Sequence, residues 1–354
     1  LARFAIEKDE TMKAIIKATE QAGSLQVADV PRPQPGPRDV LVRMKAAGIC
    51  YSDVSILTNR YIGRKPVPIP LIMGHEGAGI VEEAGAEVQG LQPGTPVAFE
   101  VLSGCGKCEQ CRIGFKNMCE DWEHMGITCH GTFAEYAVVP ADLVHPMPEG
   151  MEFVEAAFLE PLSLTVRTLE YVRPLPGETV AILGPGALGM LHLQAFLSAG
   201  ASMVAVVGLE QDRKRFELAR SLGAHCIVNL SEQDPVQAIR DATGGRGVDI
   251  VVETANSPNA TRLAFDLAAA RGRVILFGLY PEATFSPVTM LRKGLTVHGD
   301  VAILPKHFLR AMNWIATGKV DVKKLITRRF RLEEAQEAFD SLREGETVKV
   351  VFDI

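Results

Sequence analysis

Between about residues 178 and 298 the chain repeats one rhythm, a short apolar run followed by a helical stretch. The predicted strands are residues 179–183, 203–207, 226–228, 249–253, 273–277 and 295–298, with helical stretches between the first five. Parallel strands need crossover helices, and helices on both faces demand strands that are apolar throughout. This pattern therefore implies an α/β fold built on a doubly wound, mostly parallel sheet. Asp234-Pro235 marks one helix start, a capping carboxylate followed by a proline whose missing N–H costs nothing in the first turn.

The turn after the first of these strands is Gly184-Pro-Gly186-Ala187-Leu188-Gly189, and it opens a helix. Three glycines at this spacing are weak evidence alone and gain force from that position. Gly184 makes the tight turn, Gly186 lets backbone approach a pyrophosphate, and Gly189 lets helix pack on strand. The helix N-terminus, with Ala187 and Leu188 in its first turn, adds amide donors and partial positive charge. The competing reading is a glycine-rich turn with no ligand.

An acidic residue that reads the ribose is expected about twenty residues further on. That count reaches Gly208, while counting back from the helix that stops at Gly223 favours Glu210. A carboxylate at Glu210 accepting ribose hydroxyls means NAD. Room at Gly208 beside Arg213, Lys214 and Arg215 would suit the 2′-phosphate of NADP. NAD is preferred because Glu210 would repel that phosphate, and the three basic residues read equally as a solvated first helical turn. Thr254, Ala255 and Asn256 after the fourth strand, with Phe277, Gly278 and Leu279 after the fifth, lie where a cofactor crevice opens.

The first 160 or so residues contain short apolar runs broken by Pro and Gly, including 40–44, 79–83, 96–99 and 133–139, which suggest an irregular, barrel-like β domain. The final stretch is amphipathic around 307–317 and 332–342 and ends in Thr347-Val-Lys-Val-Val-Phe352, a strand expected to return to that first domain. The chain thus divides into residues 1–162 with 302–354, and residues 163–301. Met12 opens the first strand-like run, so residues 1–11 read as an upstream extension, natural or added.

Cys105, Cys108, Cys111 and Cys119 place four of the seven cysteines within fifteen residues. Thiolates spaced three apart on a glycine-containing loop, closed by a fourth, form a full tetrahedral sulfur shell for a structural zinc. Disulfides are the alternative, disfavoured in a chain with no evident secretory segment. A filled shell leaves no open position for substrate, so chemistry belongs elsewhere. Cys129 and Cys226 read as small buried hydrophobes, and His124 and His130 as structural.

Gly48-Ile-Cys50-Tyr-Ser52-Asp53, Gly74-His75-Glu76-Gly77, the four-cysteine loop, Glu160-Pro161-Leu162-Ser163 and the glycine turn occur in that order. As a set they resemble the medium-chain, zinc-dependent alcohol dehydrogenase family, in particular its polyol (sorbitol-like) branch, over nearly the whole chain from Met12. The resemblance implies a GroES-like β-barrel catalytic domain and a Rossmann cofactor domain. It implies a second, catalytic zinc, making two per chain, held by Cys50, His75 and Glu160 with one open position. Glu76 is then a neighbouring or exchanging carboxylate, since binding it together with the others would leave the metal a weaker Lewis acid. Asp53 would orient His75, and Ser52 would be the first proton-relay hydroxyl. Two departures stand out. Ser55 occupies the place of an outer relay histidine, and residues 299–303 lack the arginine that sorbitol-type enzymes use.

The implied reaction is hydride transfer between a secondary alcohol or polyol and NAD, with NADP as the alternative cofactor. A hydroxy amino acid or sugar-acid alcohol, threonine-like, is a second substrate class, and a cofactor-binding protein without turnover is the non-enzymatic alternative. The resemblance also implies a homodimer or homotetramer. A net charge of −6 disfavours nucleic acid as a partner, and the cluster Lys323, Lys324, Arg328, Arg329 and Arg331 reads as a solvated face. No apolar run approaches the roughly 18 residues of a membrane span. A cytoplasmic enzyme with a small-molecule alcohol substrate is the resulting expectation.

Overall fold

The computed structural model describes residues 10–299 and 301–354. Most of the expected upstream extension, residues 1–9, lies outside the described residues, and the first strand, Thr11–Lys17, opens one residue before Met12.

Six strands form one parallel sheet in the order Cys226–Asn229, Met203–Gly208, Thr179–Leu183, Val248–Glu253, Ala268–Leu276, Thr296–Gly299. This is the 3-2-1-4-5-6 order of a dinucleotide-binding sheet, whose strand order reverses beside the first strand and opens a crevice there. All five residues of Thr179–Leu183 are buried. Helices Ala187–Ser198, Arg213–Ser221, Pro235–Ala242 and Pro258–Leu267 make the crossovers. Asp234 caps its helix as its sequence suggested, accepting from Gln237 N–H at 2.7 Å, a contact typically worth about 1 kcal/mol.

The other strands build a GroES-like barrel. Its largest sheet runs Val144–Pro146, Pro96–Phe99, Glu76–Ala84, Asp39–Gly48, Lys349–Asp353, Ile326–Phe330, with Tyr136–Pro140 also paired to Asp39–Gly48. The chain's last strand therefore does return to the first domain, antiparallel to Asp39–Gly48. The expected strand at 133–139 is shorter, Tyr136–Pro140, because residues before it serve another sheet: Phe133 accepts from Ile15 N–H at 2.8 Å and donates to Met73 O at 2.9 Å. Ile326–Phe330 was not anticipated. It carries part of the basic cluster, and Arg328 and Arg329 reach out to Glu344 and Asp353.

Helix Leu159–Val172 joins the two halves. Leu159, Leu162 and Val166 pack in one core with Val180 and Ile182 of the parallel sheet and with Phe308 and Ala311 of helix Pro305–Ala316. Its first turn carries Glu160, so the same helix that fills the core fixes a carboxylate at the junction.

Candidate active site and metal centres

Cys50 sits just before helix Tyr51–Leu57, in extended backbone that lets its amide reach the first turn. Asp53, fully buried, accepts from Cys50 N–H at 2.9 Å and from Gly74 N–H at 3.3 Å, and its Oδ1 lies 3.4 Å from His75 Nδ1. One carboxylate thus positions the backbone of both Cys50 and the residue before His75. Ser52 Oγ stands 3.7 Å from Cys50 Sγ.

The donor atoms of Cys50, His75 and Glu76 lie within 4.8 Å of one another. Glu160, the third ligand expected from the family pattern, stands outside that group, and Glu76 takes its place within it. Glu160 is nonetheless buried and close enough for the charges of His75, Glu76, Lys349 and Arg167 to act on it. With no cation bound, burial pushes its carboxyl up to about 7, with Glu76 adding to the rise. Thiolate, imidazole and carboxylate converging in a buried site fit zinc.

Lys349 was not found from the sequence. It is buried, ion-paired with Glu76, and donates to Ile49 O at 2.9 Å. Gly48 makes the room, since a Cβ there would collide with the Glu76 carboxylate and approach Lys349 Cε to 2.9 Å. His124 packs edge-on to His75 with ring centroids 5.4 Å apart. Burial, helped by His75, pulls it down to about 3 and keeps it neutral.

Cys105, Cys108, Cys111 and Cys119 also bring their sulfurs within 4.8 Å of one another, all as free thiols. Cys108 Sγ and Cys119 Sγ are 3.7 Å apart, against about 3.8 Å for a tetrahedron of 2.3 Å zinc–sulfur bonds. Amides of Cys105, Cys108 and Cys111 point at neighbouring sulfurs at 3.3 to 3.5 Å, the donors that charged thiolates need. Backbone amides of Lys107 and Cys108 bring Cys105 down to about 6. The lobe is tied to the barrel through buried Glu100, which accepts from Lys116 at 2.8 Å and meets His145 at 3.0 Å.

The geometry therefore offers one closed sulfur site and one mixed site beside a dinucleotide crevice. Residues 36–149 match the family described as alcohol dehydrogenase GroES-like domain, and residues 187–317 the family described as zinc-binding dehydrogenase. The chain is 36% identical to an L-threonine 3-dehydrogenase of Pyrococcus abyssi over 97% of its own length and 99% of the relative's. It belongs to the medium-chain zinc-dependent alcohol dehydrogenase family. A sorbitol dehydrogenase of this family, from Halalkalibacterium halodurans, is 30% identical, covering 96% of this chain and 98% of that one. A solved structure from Sinorhizobium meliloti 1021, assigned to the zinc-binding dehydrogenases and bound to NADP, is 33% identical and superposes with a TM-score of 0.90 over 98% of this chain and 100% of that one. Members of the family use zinc and a nicotinamide dinucleotide, and the cysteine lobe supplies donors for a structural zinc.

In this dehydrogenase the glycine turn has its expected shape. Gly184 has φ +102°, and any Cβ there would lie 2.9 Å from the Ala255 backbone. A Cβ on Gly189 would strike the Gly184 carbonyl oxygen, whereas Gly186 faces open space. Thr254 Oγ1 donates to Leu183 O at 2.9 Å and Gly184 O at 3.1 Å, joining the loop after the fourth strand to the turn. Phe277 packs under Arg167 and beside His192.

Glu210 is exposed just past the second strand. Its carboxylate accepts from Asn229 at 2.7 Å and from Arg213, so it is held in place but already partnered. Arg213 also reaches Glu232. Arg215, named from the sequence as a cofactor contact, turns instead to Thr347 O at 2.6 Å and Asp212 at 2.9 Å. No helix among the described residues is long and apolar enough to cross a membrane.

Proposed function

We propose that the protein oxidises a secondary alcohol of a polyol or small diol, passing hydride to NAD. The convergence of Cys50, His75 and Glu76, with buried Glu160 alongside and a dinucleotide crevice next to it, carries this reading. Cys50 and His75 would hold the catalytic zinc with a carboxylate from Glu160 or Glu76. Bound there, zinc supplies Lewis acidity that makes a substrate hydroxyl acidic near neutral pH.

The chain's own residues do the rest. Asp53 fixes Cys50 and His75 in place, and Ser52 Oγ relays the hydroxyl proton, accepting it as its own proton passes outward to water. The turn from Gly184 to Gly189, including Gly186, Ala187 and Leu188, takes the pyrophosphate. Thr254, Ala255, Phe277, Gly278 and Leu279 flank the nicotinamide. Glu210 favours NAD, because its charge beside Asn229 would repel a 2′-phosphate. Residues 1–162 with 302–354 act as the catalytic domain and residues 163–301 as the cofactor domain.

A threonine-like hydroxy amino acid is the second reading, supported by the 36% identity to an L-threonine 3-dehydrogenase. Zinc-replete protein assayed at the reduced-nicotinamide absorbance band, with NAD and NADP against polyols, vicinal diols and L-threonine, separates these readings. Absence of turnover with every substrate would overturn both in favour of a non-catalytic binder.

The active form is a homo-oligomer. The open edge strand Thr296–Gly299 and the exposed Val288, Leu291 and Val297 near it support association between copies, and light scattering tests it. Four free thiols in one lobe fit a reducing, cytoplasmic setting.

A further inference from the structure

Glu253 ends the fourth strand of the parallel sheet and is fully buried. A carboxylate removed from water in this way needs compensation from hydrogen-bond donors. Gly278 N–H donates to its Oε2 at 3.0 Å. Its other oxygen, Oε1, makes no hydrogen bond and lies at the base of residues 254–257, whose amides oppose the upward push of burial on the carboxyl. Glu253 thus continues into one loop, residues 254–257, and holds the other, residues 277–279, through the Gly278 amide.

The same two loops are locked by further contacts. Phe277 N–H donates to Glu253 O at 3.1 Å, and Leu279 N–H donates to Asn256 Oδ1 at 2.7 Å. Asn256 itself has φ +52°, a left-handed conformation that turns the first loop sharply. Gly278 is needed at its position, since a Cβ there would strike the Tyr280 ring and lie 2.8 Å from Glu253 Oε2. A single buried side chain thus sits at the junction of both loops, below the rim they form at the carboxyl end of the sheet.

We propose that Glu253 is a positioning residue for the nicotinamide half of the cofactor, clamping residues 254–257 and 277–279 into one rim. The proposal rests on the reading that those loops flank the nicotinamide. Glu253 touches neither cofactor nor substrate and acts through the backbone amide it holds. A charged acceptor holds the Gly278 amide more strongly than a neutral amide oxygen does, so Glu253→Gln weakens the clamp without changing its shape.

The test uses two ligands of the whole enzyme. NADH carries the nicotinamide, and ADP-ribose lacks it while keeping the adenosine and pyrophosphate. In Glu253→Gln the affinity for NADH, read from nicotinamide fluorescence, is expected to fall about tenfold, equivalent to about 1.4 kcal/mol. The affinity for ADP-ribose, read by calorimetry, is expected to stay within about threefold, roughly 0.65 kcal/mol. Gly278→Ala presses on the same carboxylate from the other side and should give the same split. Equal losses for both ligands, or no loss for either, would overturn the proposal. Leu279→Asp probes the loop directly. If it discriminates NADH from ADP-ribose while both clamp variants do not, the loops flank the nicotinamide and Glu253 does not position them. If Leu279→Asp does not discriminate either, the loop assignment itself fails and the proposal with it.

Discussion

Lys349 and Glu76 form an ion pair with both side chains almost completely buried, 3% and 1% exposed. Its partners come from the last strand of the chain and from the strand that follows His75. Together with the Ile49 carbonyl, this contact surrounds Cys50 with a neutralised pair in place of a bare second carboxylate. Glu76 therefore adds no uncompensated negative charge beside Cys50 and His75.

Lys349→Met is expected to destabilise the protein by about 3–5 kcal/mol, the usual result of stranding one partner of a buried pair. Lys349→Met combined with Glu76→Gln should recover much of that loss, because no uncompensated charge remains. Urea unfolding of the single and double variants measures both. A double variant no more stable than the single one would show that the pair is not the source of the effect.

Cys111→Ser is expected to halve the zinc content, from two ions to one, and to lower the melting temperature before it touches the chemistry. Elemental analysis and a thermal scan in parallel with turnover at low temperature check this order. Loss of turnover in a fully folded variant would place the cysteine lobe in the reaction itself.

Gly186→Ala and Gly189→Ala should fail differently. The methyl on Gly186 enters open space, so stability stays within about 0.5 kcal/mol while ADP-ribose binding weakens. The methyl on Gly189 meets the Gly184 carbonyl and lifts the helix from the strand, so stability falls as well. Calorimetric titration and denaturant unfolding of the two variants reveal the split.

Glu210→Ala removes the charge that opposes a 2′-phosphate and frees Arg213 from its partner. The ratio of kcat/KM for NADP over NAD should rise about tenfold or more, equivalent to about 1.4 kcal/mol. An unchanged ratio would mean that Glu210, despite its position, does not read the ribose.

His192 is buried between helix Leu159–Val172 and the cofactor sheet, bonded to Leu188 O at 2.8 Å and Thr168 Oγ1 at 3.0 Å. Burial drives its pKa down from 6.5 to about 4. The unfolded chain binds the proton first, so the native state is favoured above pH 6.5 and loses stability as pH falls from 6.5 towards 4. Between pH 7.5 and 5 this one group should cost about 2 kcal/mol. Chemical denaturation of wild type and His192→Gln across that range should show a flatter pH dependence in the variant.

The parallel sheet was legible because its central strands are nearly unbroken apolar runs, the form a buried parallel strand takes in sequence. The mixed site was legible only as a pattern of separate residues. Which carboxylate joins Cys50 and His75 was not legible, since Glu76 and Glu160 lie far apart in sequence and their relative distance to Cys50 depends on how the barrel closes. Strand Ile326–Phe330 hid behind Arg328 and Arg329, which belong to a sheet edge facing water. Lys349 hid for the opposite reason: in Val-Lys-Val it reads as a surface residue, and only the missing side chain of Gly48 on the adjoining strand creates the space that buries it. Glu253 was legible only as a charge closing the apolar run Ile-Val-Val, because its partner Gly278 lies on a different loop.

The final strand, Lys349–Asp353, lies between Asp39–Gly48 and Ile326–Phe330, so the barrel sheet stays split until residues 349–353 arrive. During synthesis, strand Asp39–Gly48 can pair early with Glu76–Ala84 and Tyr136–Pro140, but its third partner exists only after the entire parallel sheet has been made. Lys349 reaches Glu76 last of all. The nascent chain therefore completes its cofactor-binding half before the strand that carries Lys349 can close the barrel sheet beside Glu76.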